Sequence, residues 1–85
     1  MRLLLIEDDH SLAKAVREGL VAKGFAVDRV ESGEAGFELV ALNPYDLIVL
    51  DLGLPGADGL AFLDRLRARG DAVPVLVLTA RGDRS

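Results

Sequence analysis

Cysteine is absent from the 85 residues, which rules out a disulfide framework and a thiolate metal site and suits a reducing compartment. Positive charge is scarce. Ten Lys and Arg face fourteen Asp and Glu, for a formal net charge of -4, so a nucleic-acid surface, which needs clustered cations, is not expected on this segment. No apolar run approaches the ~20 residues of a bilayer span. The N-terminal MRLLLIEDD stops after four apolar residues in a block of acids, unlike a signal peptide. Repeats and low-complexity tracts are also missing. With 51% hydrophobic and 28% charged residues, one small folded domain over 1–85 is expected.

Leu3 to Ile6 is a continuous apolar run, the pattern of a strand buried on both faces. After Glu7-Asp8-Asp9, residues Leu12, Val16 and Leu20 form a helical stripe that Asp9 or Ser11 can cap and Gly24 ends. Phe25 to Val30 reads as a strand. A helix capped by Ser32 follows, with Phe37, Val40 and Ala41 inward, stopped by Asn43-Pro44. Asp46 to Leu50 is a second continuous apolar strand, and a third helix carries Leu60, Leu63 and Leu66 as far as Gly70. Pro74 fits only at the start of the last strand, Val75 to Leu78. Apolar strands alternating with amphipathic helices predict a parallel sheet covered on both faces, with right-handed connections.

Ligands of such sheets sit beyond the carboxyl ends of the strands. Glu7 and Asp8 close the first strand, Asp51 the third and Thr79 the fourth. Converging acids repel, and a hard divalent cation relieves the repulsion. Mg²⁺ takes one or two carboxylates, keeps waters and completes its shell with phosphate oxygens. Asp8, Asp51 and the Gly53 carbonyl are candidate direct ligands, with Glu7 acting through water. A carboxylate can also attack phosphorus to give an aspartyl phosphate, and the Thr79 hydroxyl can donate to a phosphoryl oxygen, with small Ala80 leaving room.

Read singly, Asp51 caps a turn and Asp9 a helix. His10 reads as a solvated residue. Arg65, Arg67 and Arg69 offset the negative end of the third helix.

LIEDD after the first strand, DLGLPGADG after the third and LTAR after the fourth resemble the receiver domain of bacterial two-component response regulators, in particular the subclass joined to winged-helix DNA-binding domains. The resemblance implies a flavodoxin-like three-layer α/β/α fold with sheet order 2-1-3-4. It implies a cytoplasmic, non-enzymatic signalling role in which Asp51 accepts a phosphoryl group from a histidine kinase with Mg²⁺. Asp8 and Glu7 would be the acidic pair and Thr79 the switch hydroxyl. Transcription would be regulated through an output domain outside this chain.

A complete receiver also has a fifth strand, whose end carries a lysine, and two last helices. These residues stop just past strand four, and Lys14 and Lys23, the two lysines, belong to the first helix. The expectation is therefore the N-terminal part of a receiver, with the apolar edge Val75–Leu78 open to self-association. The competing reading is a fragment that cannot be phosphorylated and acts only as an interaction module. A magnesium phosphohydrolase is disfavoured, because that family carries a second Asp where Gly53 stands.

Overall fold

The computed structural model describes residues 1–51 and 58–78. Seven elements alternate: β1 (Arg2–Ile6), α1 (His10–Ala22), β2 (Ala26–Val30), α2 (Gly33–Leu42), β3 (Leu47–Asp51), α3 (Asp58–Ala68) and β4 (Val75–Leu78). All strand pairs are parallel, in the order β2-β1-β3-β4. The parallel sheet is the one that the alternating pattern predicted, and its order is the flavodoxin-like one that the resemblance implied.

Side chains alternate across a strand, and both sets are buried here. Leu3 and Leu5 pack with Val27, Val49 and Ala13 of α1, whereas Leu4 and Ile6 pack with Ile48, Leu50, Val40 of α2 and Phe62 and Leu66 of α3. One helix thus covers one face and two cover the other. Travel from β1 to β2 runs one way across the sheet, and travel from β2 to β3 to β4 runs the other. Connections of a single hand place the helices of opposite travel on opposite faces.

Local chemistry sets the helix ends. The Asp9 carboxylate accepts from the Leu12 amide (3.0 Å) and the Ser32 hydroxyl from the Ala35 amide (3.1 Å), each satisfying an otherwise orphaned donor. Gly24 and Gly70 follow α1 and α3 at φ of +97° and +85°, the left-handed region that favours glycine. Pro74, before β4, gives nothing to the ladder but accepts from the Ile48 amide at 3.0 Å.

Three helical stripes are rotated from the expected ones. In α1 the buried residue is Ala13, flanked by half-buried Val16 and Leu20, and Leu12 is exposed. Fourfold spacing drifts by about 40° per step, so Leu12, Val16 and Leu20 cannot all share one line. In α2 the buried line is Gly33, Gly36 and Val40, which turns Ala41 to solvent. In α3 Phe62 and Leu66 are buried, Leu63 is half-buried and Leu60 is 55% exposed. Phe62 displaces Leu60 because burying the ring removes more apolar surface from water. Two strands also shift by one residue: β2 starts at Ala26, and β3 runs on to include Asp51.

Candidate acidic site at the strand ends

The pairing of Ile6 with Leu50 sets the next residues, Glu7 and Asp51, level at the carboxyl ends of adjacent strands. Glu7 continues the side of β1 that bears Leu3 and Leu5, and Asp51 the side of β3 that bears Leu47 and Val49. Asp8 lies one step past Glu7. One carboxylate oxygen from each of Glu7, Asp8 and Asp51 lies within 4.8 Å of one from each of the others. Glu7 and Asp51 are buried and Asp8 is half-buried.

Glu7 is held from two directions. Its Oε2 accepts from the Asp9 amide at 3.0 Å, and its main-chain carbonyl accepts from Arg29 Nε (3.0 Å) and Nη2 (2.7 Å). Burial first of all, with the neighbouring Asp51 and Asp8 adding to it, pushes the Glu7 carboxyl up to about 7 against the lowering effect of the Asp9 amide. Glu7 Oε1 is buried, and no donor among the described residues reaches it.

That oxygen bears on whether a cation fits. A buried carboxylate oxygen without a donor is costly, and a positive ion would offset the cost. The donor set is all oxygen, which suits a hard divalent ion such as Mg²⁺ and no soft metal. The residues present therefore fit the group that the sequence implied. Of the residues expected to share the site, Glu7, Asp8 and Asp51 are brought together. Gly53 and Thr79 lie outside the described residues.

Nothing in the sequence pointed to Arg29, which stands beside Asp28 in β2 as one of two adjacent charges. His10 is exposed, with Nδ1 3.2 Å from Arg29 Nη1 and Nε2 3.8 Å from Glu31. The arginines of α3 and of the turn that follows it divide their work. Arg65 and Arg69, one turn apart, stand 4.0 and 5.5 Å from the centroid of the Phe37 ring. Arg67 donates to the carbonyls of Asp71 and Val73.

The flavodoxin-like sheet carries this oxygen-only acidic cluster at the ends of β1 and β3, where ligands of such sheets sit. The chain belongs to the response regulator receiver domain family, whose profile matches residues 3–85. It is 52% identical over 81 residues to the transcriptional regulatory protein TctD of Salmonella typhimurium, covering 95% of this chain and 36% of TctD. The receiver domain of the Francisella response regulator 1452 superposes with a TM-score of 0.87 at 28% identity, covering 99% of this chain and 69% of that one. The MaeR response regulator bound to beryllium trifluoride superposes with a TM-score of 0.84 at 29% identity, covering 94% and 67%. The chain spans little more than a third of the length of its curated relatives, which include transcriptional regulators. No helix among the described residues is long and apolar enough to cross a membrane.

Proposed function

We propose that this chain is the phosphoacceptor part of a two-component response regulator, with Asp51 as the residue that is phosphorylated. The observation that carries the reading is the convergence of Glu7, Asp8 and Asp51, whose oxygens lie within 4.8 Å of one another at adjoining strand ends. A carboxylate oxygen of Asp51 attacks the phosphorus of a phosphohistidine on a sensor kinase. The new P–O bond forms as the P–N bond breaks, and the imidazole leaves with the electron pair. When bound, Mg²⁺ supplies charge neutralisation for the acids and the phosphoryl oxygens. Asp8 and Asp51 would hold it directly with the Gly53 carbonyl, Glu7 would act through water, and the Thr79 hydroxyl would donate to a phosphoryl oxygen.

In this reading the chain is a signalling module rather than an enzyme acting on a released substrate. It works in the cytoplasm, and its output is transcriptional through a DNA-binding domain elsewhere in the protein. The beryllium trifluoride held by MaeR supports the reading by analogy, since that anion has the shape and charge of a phosphoryl group. The test is intact mass after incubation with Mg²⁺ and acetyl phosphate, beside Asp51→Ala. An added phosphoryl group that needs Asp51 is expected, and addition to the variant as well would overturn the assignment.

A second reading concerns association. Among the described residues β4 is a sheet edge, and Leu76 on it is 54% exposed. An apolar edge of this kind pairs readily with another strand, so self-association through β4 is expected in the isolated chain. Light scattering coupled to sizing tests it, and a monomer at high concentration would refute it.

A further inference from the structure

Away from the acidic cluster, a cleft of ≈ 330 Å³ lies between α1 and β2, lined by His10, Ala13, Lys14, Arg17 and Arg29. Three of its five lining residues are cationic, none is acidic, and the chain as a whole carries a net charge of -4. The cations are therefore concentrated locally against the average. We propose that this cleft binds a small phosphate-bearing anion of the size of pyrophosphate.

Lys14 and Arg17 are three residues apart on α1 and so emerge on one face of the helix. Arg29 faces them from β2 and is already ordered, because Nε and Nη2 are fixed on the Glu7 carbonyl and the side chain is only 20% exposed. Its Nη1 remains on the cleft side, beside His10 Nδ1 at 3.2 Å. A guanidinium held in advance loses little freedom when an anion arrives. The small Ala13 side chain leaves the floor of the cleft open.

Two acids lie nearby. Glu31 is 3.8 Å from Arg29 Nη1, an exposed and loose pairing that a doubly charged anion can displace. Asp28, whose charge Arg17 senses, is engaged by Tyr45 and Arg2. At ≈ 330 Å³ the cleft has room for such an anion together with bridging water. Arg29 links this cleft to the acidic site, because the arginine that would meet the anion also anchors the main chain of Glu7.

The test is calorimetric titration of the chain with sodium pyrophosphate, in chelator and without divalent ions, at chloride-matched ionic strength. Saturable binding of one anion per chain is expected. Lys14→Ala and Arg17→Ala should each weaken it about tenfold, the loss of one charge-assisted hydrogen bond. Lys23→Ala, which removes the same charge outside the cleft, should stay within about twofold. Equal weakening by Lys14→Ala and Lys23→Ala, or uptake that chloride abolishes, would show general charge attraction and overturn the proposal. Circular dichroism checks that the three variants, all of exposed residues, stay folded.

Discussion

Arg29 donates two hydrogen bonds, of 3.0 and 2.7 Å, to the main-chain carbonyl of Glu7, the residue with which β1 passes into the acidic site. The strand end that presents the acids is thus tied to β2 by a side chain as well as by the ladder, in which the Glu7 amide donates to the Val30 carbonyl at 3.0 Å.

Arg29→Met keeps the apolar stem and removes both donors. The variant is expected to lose about 1.5 to 3 kcal/mol of stability in urea denaturation, the range for hydrogen bonds from charged groups. The loss should also appear as faster amide exchange at Glu7 and Asp8. A loss confined to the surroundings of Arg29 itself would contradict the tie.

The Glu7 carboxyl makes stability depend on pH in a stated direction. It releases its proton near 4.5 in the unfolded chain and at about 7 in the folded one. Below 4.5 both states hold the proton and the group contributes nothing. As pH rises the unfolded chain releases first, so stability falls between about 4.5 and 7 and stays reduced above that, by on the order of 1 to 3 kcal/mol. Glu7→Gln should flatten this fall in chemical denaturation of the metal-free chain. Mg²⁺ should restore more stability at pH 8 than at pH 5.

Two helical glycines should respond to alanine with opposite signs. A Cβ on Gly36 would stand 2.6 Å from Ile6 Cδ1 and 3.4 Å from Phe62 Cε1, so Gly36→Ala overpacks the contact behind the acidic site and should cost about 1 to 3 kcal/mol. A Cβ on Gly19 meets nothing within 4 Å, and Gly19→Ala should add about 0.5 to 1 kcal/mol through helix propensity. Thermal or urea unfolding of the pair checks both.

At the opposite end of the sheet the Tyr45 hydroxyl donates to Asp28 Oδ2 at 2.7 Å, and Arg2 Nη2 reaches the same oxygen at 2.9 Å. The Tyr45 bond, and then Arg2, hold the Asp28 carboxyl below its usual range, while burial and then Asp28 push the Tyr45 phenol up to about 12. Tyr45→Phe should cost about 0.5 to 1.5 kcal/mol near neutrality. The stabilisation from Asp28 is present above its unfolded value of 3.8 and is lost as pH falls through the lower folded value, so the cost should shrink in strong acid.

The parallel, doubly covered sheet and the gathering of Glu7, Asp8 and Asp51 at strand ends were legible because they follow from long-range rules, whereas the strand order was implied by the family resemblance. Continuous apolar strands require two covered faces, and strand ends gather the chemistry. Helix faces were less legible, since Leu12, Ala41 and Leu60 are themselves apolar and their spacing alone did not set them outside the buried line. The rotation of α2 depends on how closely Gly33 and Gly36 approach the sheet, and that of α3 on where Phe62 finds room. Arg29 escaped notice because its partner is a main-chain carbonyl 22 residues away, and such acceptors have no sequence signature. The clasp of Tyr45 and Asp28 was invisible for the same reason of distance along the chain.

The two-sided burial of β1 and β3 leaves these strands with little to tell one alignment from another. A slip of β3 by one residue would still bury leucine, isoleucine and valine on both faces, and the sheet would look complete to circular dichroism. It would, however, carry Asp51 to the opposite face from Glu7 and scatter the three acids. With the proposed cation site, divalent-cation affinity would serve as a gauge of correct alignment: during refolding, chains that have formed their sheet out of step should be blind to the ion, and the ion should favour those in step.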